Sequence, residues 1–92
     1  MADNSYRALV GSSVELVLMR SGPQYHAVVS KLEYHYNCKI IYCFDHPEHL
    51  SAVLREVYRK DYDGIIDSIE AEFGEAIEQT EISDFVYKLR ER

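Results

Sequence analysis

The stretch CKIIYCFDHPEH, residues 38–49, decides the fold. Its first half, CKIIYCF, is short and rich in β-branched and aromatic residues, the composition of a strand. A strand needs a partner, and the chain offers no second candidate. We therefore read residues 39–44 as a short extended crossing that buries Ile40, Ile41 and Phe44 in part, and the whole chain as all-α. The second half opens a helix. Asp45 and Glu48 stand at capping-box spacing, and Pro47 fits the first turn, where its missing N–H costs nothing.

Downstream, Leu50, Val53, Leu54, Val57 and Tyr58 recur at i, i+3, i+4, i+7 and i+8, the stripe of an amphipathic helix that closes on Arg59 and Lys60. Residues 61–79 repeat the pattern with Ile65, Ile66, Ile69, Phe73, Ala76 and Ile77. That phase requires apolar residues near 80 and 84, but Thr80 and Asp84 stand there, while Ile82, Phe85, Val86 and Leu89 set a new phase. The shift predicts a break between Gln79 and Ile82, with Thr80 capping a fifth helix that runs to about Arg90.

Upstream, Tyr25, Val28, Val29, Leu32 and Tyr36 mark a helix that Ser21 or Gly22 caps, with Pro23 in its first turn and Asn37 as a left-handed end. Before it lies a helix over residues 5–20, capped by Asn4 or Ser5, with Tyr6, Val10, Val14, Val17 and Leu18 on one face. Leu9, Leu16 and Met19 widen this stripe and predict burial on more than one side. Gly11 in its interior costs about 1 kcal/mol relative to Ala and points to close packing. The expected architecture is a single compact bundle of about five helices over residues 1–92.

Composition narrows the function. Ninety-two residues can bury one modest core. The longest aliphatic run, Leu16–Met19, is far too short for a membrane span, and the N-terminal MADNSYR lacks the pattern of a secretory signal, so reduced thiols in a cytoplasm are expected. Residues 1–60 carry a net charge of +1 and residues 61–92 a net charge of −7. A nucleic-acid binder ordinarily shows the opposite balance, because it must displace counterions from phosphates.

Cys38, Cys43, His46 and His49 supply four ligand types that zinc prefers. An extended segment, however, would send residues 38 and 43 to opposite faces, five being an odd step. The alternative reading makes the cysteines small core residues and the histidines first-turn surface residues. No phosphate-binding loop and no glycine-rich nucleophile turn is present, so no enzyme activity is expected, and no catalytic residue, cofactor or metal is assigned. Among the eight tyrosines, Tyr25, Tyr36 and Tyr58 fall on apolar stripes, whereas Tyr34, Tyr42, Tyr62 and Tyr87 are free to serve a protein interface.

The order of elements, with Leu32-Glu33 and Tyr36 at one helix end, Pro47-Glu48 and Leu50 at the next start, and Phe73-Gly74 at a later junction, resembles the small helical archaeal domains described as Nitrosopumilus-type output domains. The resemblance covers residues 6–90. It implies a helical module found alone or attached to signalling and regulatory proteins, without established chemistry and without a ligand role for Cys38, Cys43, His46 or His49.

The functional expectation is a non-enzymatic protein-interaction or regulatory output module that forms a homodimer through the first or the last helix. Asp63, Asp67 and Glu70, at i, i+4 and i+7 on an acidic face, are the candidate docking residues for a basic partner. Two other readings stay open: a zinc-binding regulator using the 38–49 cluster, and a DNA-binding domain using Arg55, Arg59 and Lys60.

Overall fold

The computed structural model describes residues 4–91. Five α-helices follow in order: α1 (Asn4–Arg20), α2 (Gln24–Tyr36), α3 (Pro47–Tyr58), α4 (Tyr62–Phe73) and α5 (Thr80–Arg90). Among the described residues there is no strand, and no helix is long and apolar enough to cross a membrane. The all-α bundle is thus the observed architecture, with a radius of gyration of 12.0 Å, close to the value of roughly 12 Å that a packed chain of this length requires.

The crossing is where sequence and structure part. Only Lys39 is extended, and Ile40–Asp45 wind into a 3-10 helix. An extended segment buried here would leave its backbone N–H and C=O groups without partners; i→i+3 bonds satisfy them locally, as in Tyr42 N–H donating to Lys39 O at 2.9 Å. The tighter winding buries Ile40 and Cys43 together and turns Ile41 and Tyr42 outward. The crossing lies directly on Gly11 of α1, whose missing side chain makes the approach possible.

Helix ends follow the expected logic in part. Asn37 takes the left-handed conformation (φ 50°), its N–H donating to Glu33 O at 3.1 Å, the single bond of an αL closure, while Cys38 N–H donates to Leu32 O at 3.1 Å. Pro47 is the first residue of α3, but the capping box is not formed: Asp45 instead accepts two bonds from Arg7 of α1, at 2.8 and 3.1 Å. The side chains of Asn4 and Ser5, expected as caps of α1, lie outside the described residues. Thr80 opens α5 without a side-chain cap bond, and α4 stops at Phe73 rather than near Gln79. Gly74, at φ 57°, makes that earlier stop, and a 3-10 turn over Gly74–Glu78 leads to α5.

One core joins all five helices. Val10, Val14 and Leu18 of α1, Val28 and Leu32 of α2, Leu50, Val53 and Leu54 of α3, Ile66 and Ile69 of α4, and Ile82 and Leu89 of α5 are essentially inaccessible. Each fully buried side chain of this size contributes about 1.5–3 kcal/mol. Phe85 meets Phe44 of the crossing (ring centroids 6.1 Å apart) and Phe73 at the end of α4 (6.4 Å, edge-on). Polar ties close the base. Tyr62 of α4 donates to the Leu89 carbonyl, Ser51 of α3 lies 3.0 Å from the Tyr62 hydroxyl, and Arg55 donates to Ser51 at 3.2 Å while its guanidinium sits 4.5 Å from the Tyr62 ring centre.

Candidate functional sites at the start of α3 and along α1

The winding of residues 40–45 determines what the cysteines and histidines can do together. Cys43 is fully enclosed in the core, and burial pushes its thiol far above the ordinary range. Cys38 is also buried; its thiol points to the Lys39 carbonyl at 3.6 Å and is pushed up by burial first, then by the Asp45 and Glu48 carboxylates. Burial thus raises both thiols, against the thiolate form that nucleophilic attack uses. The four residues proposed as one zinc set do not converge.

His46 and His49 do come together, with Glu48 in place of the cysteines. His46 precedes α3 and His49 completes its first turn, so their rings stack at 5.0 Å and 16°. The His49 ring is stacked in turn on Tyr36 at the end of α2, at 4.4 Å and 15°. The Glu48 carboxylate lies 3.8 Å from His46 Nδ1 and 3.7 Å from His49 Nε2. His49 Nδ1 is buried with no hydrogen-bond partner. A groove of about 440 Å³ runs beside the rings, lined also by Cys38, Tyr42 and Asp45. Sequence reasoning missed Glu48 and Tyr36 as parts of this cluster. The letters HPEH held the first, since a residue two past His46 and one before His49 shares their turn; the second required the tertiary fold.

The acidic face is less bare than its sequence suggests. Asp67 and Glu70 each accept from Arg90 Nη2 of α5 at 2.8 Å, and the two carboxylates hold the guanidinium pKa up. Asp63 is exposed and, among the described residues, makes no ion pair. Glu75, Glu78 and Glu81 are exposed.

Of the proposed basic edge, Arg55 is committed to Ser51, to the Tyr62 ring and to the Glu91 carbonyl at 2.6 Å. Only Arg59 and Lys60, in the 3-10 turn after α3, present exposed cationic side chains.

The first helix departs furthest from expectation. Leu9, Leu16 and Met19 are not buried; they are 37%, 39% and 56% exposed. With Ser12, also exposed, they form a stripe on the side of α1 turned away from the core. Tyr34, Tyr42 and Tyr87 are exposed as well, while Tyr62 proves to be a core residue.

No protein-family model matches the chain, and no curated protein or solved structure is similar to it.

Proposed function

We propose that this chain is a non-enzymatic interaction module that pairs with a second copy of itself through the outer face of α1. The observation that carries the reading is the stripe Leu9, Ser12, Leu16 and Met19, spaced i, i+3, i+7 and i+10, which is the a/d pattern of a helix–helix seam. Antiparallel packing about a two-fold axis sets Leu9 beside Met19 of the partner subunit and seats Leu16 over the small Ser12 of the partner subunit. The Ser12 hydroxyl already donates within its own helix, to the Ala8 carbonyl at 2.9 Å, so it enters a seam without an unmet bond.

Charge favours a second copy over a charged partner. The charged residues of α1 are Arg7, Glu15 and Arg20. Each is engaged within the chain: Arg7 with Asp45, Glu15 as acceptor from the Tyr25 hydroxyl at 2.9 Å, and Arg20 with Glu72 at 3.0 Å. An isologous interface juxtaposes identical surfaces, so a stripe without charge pairs with itself without repulsion. The acidic face around Asp63 would repel its own copy, and it fits instead a basic partner as a secondary contact.

Two heptads make a small interface beside the ~1,600 Å² of a standard complex, so the pairing is reversible and in the micromolar range. The non-enzymatic part of this reading is supported by the burial of both cysteines, which leaves neither thiol exposed as a nucleophile. In a regulatory protein such a module would report or impose the state of association. The test is Leu16→Glu, which changes an outward side chain and places like charges in the seam. Light scattering is expected to report a dimer for the parent chain at high concentration and a monomer of unchanged helicity for the variant. A variant that associates as the parent does would refute the α1 seam.

A further inference from the structure

We propose that the first turn of α3 binds a first-row transition-metal dication through His46 Nδ1, the Glu48 carboxylate and His49 Nε2. The three donor atoms lie within 4.8 Å of one another. The two distances to Glu48 Oε2, 3.8 and 3.7 Å, are too long for hydrogen bonds. They are close to a different length. Around a tetrahedral ion with bonds of about 2.0–2.1 Å, neighbouring ligand atoms stand roughly 3.4 Å apart. The two edges at Glu48 exceed that length by a few tenths of an ångström, and the third edge, between the histidine nitrogens, lies within 4.8 Å, so the three atoms outline one face of a coordination tetrahedron that must draw in around the ion. His46 and Glu48 are exposed, and their side chains can close that gap without backbone movement.

The turn is built to hold its shape. Pro47 fixes the backbone between the two histidines, and His49 N–H donates to the His46 carbonyl at 3.1 Å. The stack on Tyr36 fixes the His49 ring. Because the imidazoles are nearly parallel, their lone pairs converge only when the outer ring, His46, turns about its Cβ–Cγ bond; the inner ring can remain in place. Two neutral imidazoles and one carboxylate give the site a charge of −1, suited to a dication. Two nitrogens and one oxygen select zinc, cobalt, nickel or copper over magnesium and calcium, which take oxygen ligands. The remaining position faces the groove beside Cys38 and Asp45, where water completes the shell.

One feature sets the affinity. An ion on Nε2 places the ring proton on Nδ1, and His49 Nδ1 is buried without an acceptor. A missing outer partner of this kind costs about 10–100-fold in metal affinity. The site is therefore exchangeable, with micromolar dissociation, and it is independent of pairing through α1.

The experiment is a titration of Co²⁺, and in competition Zn²⁺, into the chelator-treated, tag-free chain, read by the visible bands of tetrahedral cobalt. One equivalent is expected to saturate a single site. His46→Gln and Glu48→Gln, both at exposed positions, are each expected to weaken binding at least about tenfold, as loss of a ligand does. His26→Gln with His35→Gln is expected to leave binding unchanged. Absence of saturable binding, or variants at 46 and 48 that bind as the parent does, overturns the site. A thiolate-to-cobalt absorption band that disappears in Cys38→Ser moves the ion to the cysteines and overturns this ligand set equally.

Discussion

The carbonyl of Ile41 lies so close over Gly11 that a Cβ at residue 11 would stand 2.5 Å from its oxygen. The obstruction is backbone, which cannot rotate aside. Ala would gain about 1 kcal/mol of helix propensity over Gly, but overpacking against a fixed neighbour costs about 1–3 kcal/mol and the crossing would have to lift. Gly11→Ala is therefore expected to lower stability in urea denaturation. Gly64→Ala is its control: nothing lies within 4 Å of a Cβ there, and the same exchange is expected to stabilise by about 0.5–1 kcal/mol. Equal gains from both exchanges would show that the crossing does not rest on Gly11.

The cysteines separate cleanly by environment. Cys43→Ser buries a hydroxyl in the core and is expected to cost about 1–3 kcal/mol. Cys38→Ser, beside a carbonyl at 3.6 Å, is expected to fall within about 1 kcal/mol of the parent. The fold survives both changes, since neither thiol holds it together through a bond.

Alkylation reads the same environments chemically. The Cys38 thiol is pushed above its ordinary range by burial and by two carboxylates, so its thiolate fraction at mildly alkaline pH is below that of a free cysteine. Its rate with iodoacetamide is expected to be slower than that of a model thiol at pH 8 and to keep rising at pH values where the model thiol has levelled off. Cys43 is expected to react only on unfolding. Fast modification of Cys43 in the native chain, followed by mass spectrometry, would contradict its enclosure.

Arg90 makes two exposed ion pairs, with Asp67 and Glu70, from a single nitrogen. Exposed pairs of this kind contribute about 0.2–1 kcal/mol. Reversing both acids to Lys is expected to cost about that much and to become milder as salt is raised. Asp63→Lys breaks no ion pair among the described residues but replaces the acid in the first turn of α4, so it is expected to cost about 0.3–1 kcal/mol while also altering any salt-dependent capture of a basic partner. Thermal melts of the double variant and of Asp63→Lys at low and high salt measure both costs.

The helices were legible wherever one face alone carries apolar residues, as in Leu50, Val53, Leu54 and Tyr58 of α3. The break before α5 was legible because Thr80 and Asp84 violate a phase. The stop at Gly74 was written in the sequence but overridden by the continuing stripe of Ala76 and Ile77, which the 3-10 turn still half buries. The crossing was misread because β-branched residues favour strands only when a partner strand accepts their backbone bonds. The α1 stripe was misread because periodicity reports which residues are apolar, and not whether the chain itself covers them. In the candidate metal site the two histidines were visible as a one-turn pair, whereas the fate of the cysteines depended on the winding of residues 40–45.

Pairing through α1 is tested most directly by sedimentation equilibrium of the unmodified chain from low to high micromolar concentration. The expected result is a mass that rises from the 10.7 kDa of one chain toward twice that value. The rise should be abolished by Leu9→Glu with Leu16→Glu and left unchanged by Asp63→Lys. A mass that stays at one chain throughout, or a rise that survives both substitutions in α1, would contradict it.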